Sequence, residues 1–273
     1  RYGNRRKKTE LAQLPSQEGR ELLTDDAVIL IPMGSLEDQG VHAPMGDYLA
    51  AKLIADRIAQ AATAAGTPTF TAPVIPFGAE DYFGLTHGGI ALRSSTLRAL
   101  LDDMVGSLYR RGLKRIVLIN GHGGNVPVIT ELALKWRRDK GMFITSLYLW
   151  QMAYGILRKE LGDAEAARAS GHGADPLTSV GLHLYPEILR MDLAKGPPTN
   201  PMLKGLKIQQ YGYLEYEGSP VQAPIEAAEC GPDGIWGGNP KYSSPERGKM
   251  LVERLTALGA GYIRDHVSKN FAA

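Results

Sequence analysis

A single cysteine, Cys230, stands among 273 residues, so no disulfide can close within the chain. That absence fits a reducing, cytoplasmic setting. Charge of one sign is also missing, since the net charge is only +2. A nucleic-acid footprint normally shows as a strong basic excess on one face, so that class of partner is not expected. The one basic run, Arg5-Arg6-Lys7-Lys8, reads as a solvated chain end. Long apolar runs are lacking too, and none approaches the roughly 18 residues that span a bilayer. No N-terminal stretch has the order of a signal peptide. The expectation is a soluble, cytoplasmic protein without a membrane partner.

What is present is a 44 % hydrophobic chain, long enough to bury a sizeable core. The reading is one domain over residues 1–273, with an N-terminal extension at 1–22 and a Pro/Gly-rich excursion at 195–240. Ala27-Val28-Ile29-Leu30-Ile31-Pro32 is continuously apolar and β-branched, as in a strand buried on both faces of a parallel sheet. An amphipathic helix follows over 48–65, with Asp47 as its cap. The cycle repeats. Strands are expected at 69–76, 115–119 and 142–149, and helices at 94–111, from 126 to 140, 164–169 and onward to 184. Ser94-Ser95-Thr96 supplies a helix start and Gly112 a stop. The excursion reads as irregular, with one or two short strands around 208–216, and as a segment that covers a site or builds an oligomer contact. Ser244-Pro245-Glu246 starts a last helix reaching about Val267. Strands alternating with helices predict an α/β class, a layered α/β/α fold with a mostly parallel central sheet.

Ligands in open α/β sheets bind beyond the carboxyl ends of the strands. Three loops there carry Glu, Asp and His among glycines: Gly34 to Asp47, Asn120-Gly121-His122-Gly123-Gly124-Asn125, and Ser170 to Asp175. Imidazole and carboxylate donors suit a divalent zinc, manganese or iron ion. The glycine run also admits a phosphate-cradling reading, although it lacks the Walker and G-x-G-x-x-G spacings. Asp47 can serve as helix cap and ligand at once. His172 can be a capping or core histidine, and His183 and His266 read as structural. Tyr48, Tyr82, Trp150 and Trp236 read as core packing.

These loops resemble those of the creatininase superfamily. That family pairs G-S-T-E-Q-H-G-P-H-L-P-L-G-T-D with N-G-H-G-G-N and a later H-A-G-E-x-E-T-S. Here the first stands as Gly34-Ser35-Leu36-Glu37-Asp38-Gln39-Gly40-Val41-His42-Ala43-Pro44-Met45-Gly46-Asp47, the second matches fully, and the third stands as His172-Gly173-Ala174-Asp175-Pro176-Leu177-Thr178-Ser179. Gly88-Gly89-Ile90-Ala91-Leu92 and Trp236-Gly237-Gly238-Asn239-Pro240 extend the resemblance to about 23–263. It implies a creatininase-like fold, one or two divalent ions, and a hexameric homo-oligomer. Glu37 and His122 would be metal ligands, Asp47 the carboxylate bridging two ions, Asp175 a ligand of the second ion, and His172 the histidine beside the reacting carbonyl. Backbone N–H groups of Gly123 and Gly124 would hold the substrate or its oxyanion.

The sequence departs from the family where Gln39 replaces a histidine, where Leu177 replaces a glutamate, and where Asp47 comes one residue early. His87 stands where the family has proline. A single-ion site, a two-ion site rebuilt with His42 or His87, and an inactive relative all remain open. A bound ion would supply hydroxide and polarise a carbonyl, with His172 as general acid or base. The expected substrate is a small polar ring opened at a C–N amide. The E-D-Q variant of the first loop resembles a subgroup acting on oxidised inositols, similar to 3-dehydro-scyllo-inosose hydrolase, in which a C–C bond of a cyclic diketone is cleaved. The other class kept open is a non-catalytic small-molecule-binding relative that has lost its metal.

Overall fold

A computed structural model describes residues 8–271; most of the basic run lies outside them. Its Lys8 pairs with Glu18 at 2.9 Å. In chain order the elements are α1 (Ser16–Leu22), β1 (Val28–Met33), α2 (Asp47–Ala64), β2 (Thr69–Thr71), α3 (Ser94–Arg110) and β3 (Arg115–Asn120). Then come α4 (Val126–Lys140), β4 (Thr145–Tyr148), α5 (Leu149–Leu161), α6 (Asp163–Ala169) and α7 (Leu177–Leu184). The remaining elements are β5 (Met202–Leu203), β6 (Leu206–Gln210), β7 (Tyr213–Tyr216), β8 (Ser219–Gln222), α8 (Ala227–Cys230) and α9 (Pro245–Tyr262).

The central sheet runs β2-β1-β3-β4, and every pairing in it is parallel. Successive strand residues point to opposite faces, and the core divides accordingly. Val28, Leu30, Val117 and Ile119 pack with Ile54 and Ile58 of α2, Leu157 of α5, Val180 of α7 and Leu251 of α9. Ile31, Ile116 and Leu118 pack on the other side with Leu97 and Leu101 of α3 and Leu132 of α4. Each fully buried side chain of this size contributes about 1.5–3 kcal/mol. Helices on both faces make the layered α/β/α arrangement that the strand pattern predicts.

Four local expectations change. Strand β2 stops at Thr71, because Pro73 and Pro76 cannot donate to a ladder; only Ile75 regains a bridge, to Met33. The 142–149 segment is strand only at 145–148 and turns at once into α5, which buries Leu149, Ala153, Ile156 and Leu157 at helical spacing. Helix α3 is preceded by Arg93 and has no side-chain cap, so Ser94 is already helical. The excursion holds a four-stranded antiparallel meander, β5 to β8, around a small core of Ile208, Leu214, Ile225 and Cys230. The last helix starts as expected: Ser244 Oγ accepts from Arg247 N at 3.2 Å, with Pro245 in the first turn. It continues through a π turn to Val267.

Helices α7 and α9 cross very closely. A β-carbon at Gly248 would fall 1.8 Å from the Ser179 carbonyl oxygen, so glycine is what lets the two backbones meet. That crossing holds the 170–176 loop against the start of α9.

Candidate metal centre

Strands β1 and β3 are neighbours, and their carboxyl ends deliver Glu37 and His122 to one point. The loop after β1 doubles back, with Leu36 bridged to Gly46 and Glu37 N donating to Met45 O at 2.8 Å. Asp47 thereby returns beside Glu37. Asp47 is not the cap of α2; Gly46 holds that position. As the first helical residue, its carboxylate turns back to accept from Ser35 N at 2.6 Å and Ser35 Oγ at 3.1 Å. Ligand atoms of Glu37, Asp47 and His122 lie within 4.8 Å of one another, and all three residues are buried. His122 Nδ1 is 3.3 Å from Glu37 Oε1 and 3.4 Å from Asp47 Oδ2.

Glu37 and Gln39, two apart in extended chain, do point the same way. Gln39 Nε2 donates to Glu37 Oε1 at 2.9 Å and to Asp47 Oδ2 at 3.4 Å. His172 enters from the loop between α6 and α7, with Nε2 3.6 Å from Glu37 Oε1. Its Nδ1 lies 2.8 Å from the Gly234 carbonyl, which can only accept, so Nδ1 carries the proton. Phe83 stacks on the ring at a 4.2 Å centroid separation and Tyr211 meets it edge-on at 5.8 Å, fixing its orientation.

These groups open into a cavity of about 770 Å³. Gly123 and Gly124 line it from the short 3-10 turn ahead of α4. Tyr82 and Trp150 line it as well, in place of the core role expected of them, and Tyr211 of the meander covers it. Trp150 Nε1 donates to the Gly121 carbonyl, tying α5 to the loop after β3. Trp236 contributes backbone, donating its N–H to His172 O at 3.0 Å.

The structure does not bring Asp175 into the three-residue group. The expected second-ion ligand is fully buried in another network, accepting from Ser179 Oγ at 2.5 Å, Ser243 Oγ at 2.6 Å and Arg247 Nη1 at 2.7 Å. A carboxylate committed to a guanidinium and two hydroxyls has little left for a cation. His42 is also elsewhere, with Nε2 3.2 Å from Thr178 Oγ1, and His87 is exposed. Asp81 is the residue the sequence reading missed. It comes from the loop after β2, and its Oδ2 lies 3.2 Å from His122 Nε2. The Glu80-Asp81 pair at a strand-end loop was its only signal.

The donor set fits a divalent cation. Glu37, Asp47, Glu80, Asp81 and Asp175 line the cavity, while no lysine or arginine does among the described residues. The buried Nε2 atom of His172 has no hydrogen-bond partner. Burial works to raise the Glu37 carboxyl, but hydrogen bonds and charge from His122 and His172 outweigh it and bring it to about 2. Burial raises Asp47 to about 6, against the pull of His122. Burial works to lower His122, yet the carboxylates of Asp47, Asp81 and Glu37 crowded around its ring carry it well above its ordinary value. In the metal-free chain these carboxylates favour the protonated ring, and a cation bound at the same nitrogen displaces that proton. Metal uptake at pH 7 is expected to release roughly one proton, and affinity to weaken as pH falls through about 6 and Asp47 becomes protonated. Calorimetric titration in buffers of different ionisation enthalpy reads the proton count; no release would contradict the His122 assignment.

Among the described residues no helix is long and apolar enough to cross a membrane. Among curated proteins, a mycofactocin precursor peptide peptidase of Mycobacterium tuberculosis is 29 % identical over 193 residues, 67 % of this chain and 68 % of the relative. Creatinine amidohydrolase of Pseudomonas putida is 28 % identical over 255 residues, 88 % of this chain and 90 % of the relative. The 3-dehydro-scyllo-inosose hydrolase of Thermotoga maritima is 24 % identical over 254 residues, 90 % and 79 % respectively. A solved structure of creatininase with Mn superposes with a TM-score of 0.75 at 23 % identity, covering 96 % of this chain and 99 % of that one, which establishes the fold. The family described as "Creatininase: Creatinine amidohydrolase" matches residues 12–261. The chain belongs to the creatininase family, whose members are metal-dependent hydrolases.

Proposed function

We propose that this chain hydrolyses a small, polar, uncharged or cationic ring at a carbonyl group, using a divalent ion held by Glu37, Asp47 and His122. The observation that carries the reading is the position of His172 Nε2, unpartnered and 3.6 Å from Glu37 Oε1 at the edge of the three-residue group. Two carboxylates and an imidazole suit zinc, manganese or iron. Held there, such an ion would acidify a water and polarise the carbonyl.

The chain's own residues supply the rest. His172, with its proton on Nδ1 held by Gly234, presents a basic Nε2 that takes a proton from the attacking water and returns it to the departing atom. Backbone N–H groups of Gly123 and Gly124, at the helix start, hold the substrate oxygen as it becomes negative. Tyr82, Phe83 and Tyr211 stack together along one wall of the cavity. A lining of carboxylates without lysine or arginine disfavours phosphorylated or carboxylated substrates. Relatives named for creatinine and for a dehydro-inosose support two candidate bonds, a ring amide C–N bond and the C–C bond of a cyclic diketone. Both open by the same addition to a carbonyl, and the leaving nitrogen or enolate carbon takes the proton from His172.

The test is incubation of zinc- or manganese-loaded protein with creatinine, other cyclic amides and a dehydro-inosose-type diketone. Gain of one water by an amide identifies C–N opening, and gain by the diketone identifies C–C cleavage. Metal-loaded protein that consumes none of them, yet binds one, would leave the chain as a small-molecule-binding relative.

A further inference from the structure

The two edges of the His122 ring face different acids. Nδ1 looks toward Glu37 and Asp47, at 3.3 and 3.4 Å. Nε2 looks away from them, toward Asp81 Oδ2 at 3.2 Å, the pair standing out of line for a hydrogen bond. Asp81 is itself held in place, since its Oδ1 accepts from Phe83 N at 3.0 Å. The room for this meeting comes from glycine. A β-carbon at Gly124 would lie 2.6 Å from both Asp81 Oδ2 and His122 Nε2, and one at Gly78 would lie 2.9 Å from His122 Cδ2. Any side chain at 124 would thus occupy the place that the Asp81 carboxylate fills.

A neutral imidazole that gives one nitrogen to a cation keeps its proton on the other. That second nitrogen commonly donates to a carboxylate, which sets the tautomer and the ring orientation and makes the ring a better ligand. Nδ1 lies on the side of the two buried carboxylates, so it is the nitrogen available to the ion. Nε2 then carries the proton, and Asp81 is the acceptor it faces.

We propose that Asp81 is the positioning residue of this centre: delivered by the loop after β2 into the space left by Gly124, it holds the Nε2 proton of His122 and so prepares Nδ1 for the metal. The proposal rests on the reading of Glu37, Asp47 and His122 as the ligand group. It assigns the glycine at 124 a second duty besides backbone donation.

The experiment measures affinity and stoichiometry for zinc and manganese by chelator competition and elemental analysis, in wild type, Asp81→Ala, Asp81→Asn and Gly124→Ala, each first checked for an unchanged thermal melt. Asp81→Ala is expected to weaken binding by about 10- to 100-fold while keeping the wild-type stoichiometry at saturation. Asp81→Asn keeps an acceptor oxygen and is expected to recover most of that loss. Gly124→Ala would place a β-carbon 2.6 Å from both the Asp81 carboxylate and the His122 ring, and is expected to weaken binding at least as much as Asp81→Ala. Wild-type affinity in Asp81→Ala overturns the proposal. Loss of one equivalent at saturation in both Asp81 variants also overturns it, because Asp81 would then be a direct ligand of an ion. Wild-type protein that binds no metal at all would instead defeat the underlying ligand assignment.

Discussion

Replacing His122 with alanine is expected to strip the protein of metal and to reduce hydrolysis on the order of a thousandfold. Among the described residues the imidazole is one of three side chains whose ligand atoms lie within 4.8 Å of one another, and its two nearest polar neighbours in the loops are already engaged. Gln39 presents its amide N–H groups to Glu37 and Asp47, and Asp175 is engaged by Arg247. The magnitude follows from the ion's role as Lewis acid, several kcal/mol of transition-state stabilisation, at about 1.4 kcal/mol for each factor of ten. Glu37→Ala is expected to act alike. A His172→Ala variant should separate the functions, keeping its metal while losing turnover. Elemental analysis beside a rate measurement checks all three. Full metal occupancy in His122→Ala would sink the assignment of the centre.

Removing the Asp175 carboxylate should have an effect of comparable size on stability and none on the metal. Asp175 is fully buried; Arg247, largely buried, would lose its 2.7 Å partner and keep only Glu165 at 3.7 Å, while Ser179 and Ser243 lose theirs. Breaking a buried ion pair by deleting one member costs about 3–5 kcal/mol, because the remaining charge is left poorly compensated. In a protein of this size that lowers the melting temperature by roughly 10 °C. The pair joins the loop carrying His172 to the start of α9, so a softer site is expected as well. Thermal melts of Asp175→Ala with and without bound metal decide the matter. An unchanged melting temperature together with loss of an ion would restore Asp175 to the ligand role that the family resemblance implied.

The contrast between these two acids marks what the sequence could convey. Glu37, Asp47 and His122 were legible through the family resemblance of loops that leave the carboxyl ends of β1 and β3, where the parallel sheet brings neighbouring loops together. Asp175 sits in an equally suggestive loop, but its partners, Ser243 and Arg247, come from 68 and 72 residues away, and no local pattern announces them. Asp81 was hidden for the opposite reason. Its loop has no ligand spacing of its own, and its importance depends on glycines at 78 and 124 leaving the ring of His122 uncovered. The parallel sheet was readable from unbroken β-branched runs at 28–33 and 115–120. Helix α5 was not, because it leaves β4 without an intervening turn residue. The meander was largely invisible too, since proline and glycine hide strands that pair only with their chain neighbours.

The carbonyl that holds His172 belongs to Gly234, in the segment that leads back from the meander, and Trp236 two residues on is bridged to His172 itself. Tyr211, on the cover, leans against the same ring. The cover and the proton carrier are therefore tied together by shared contacts. A molecule that fits beside Tyr211 without disturbing these contacts is expected to leave the histidine aligned, and one that displaces Tyr211 to turn the ring away from the carbonyl. Discrimination of this kind appears in turnover more than in affinity: wrong molecules can lodge in the cavity and still not be converted.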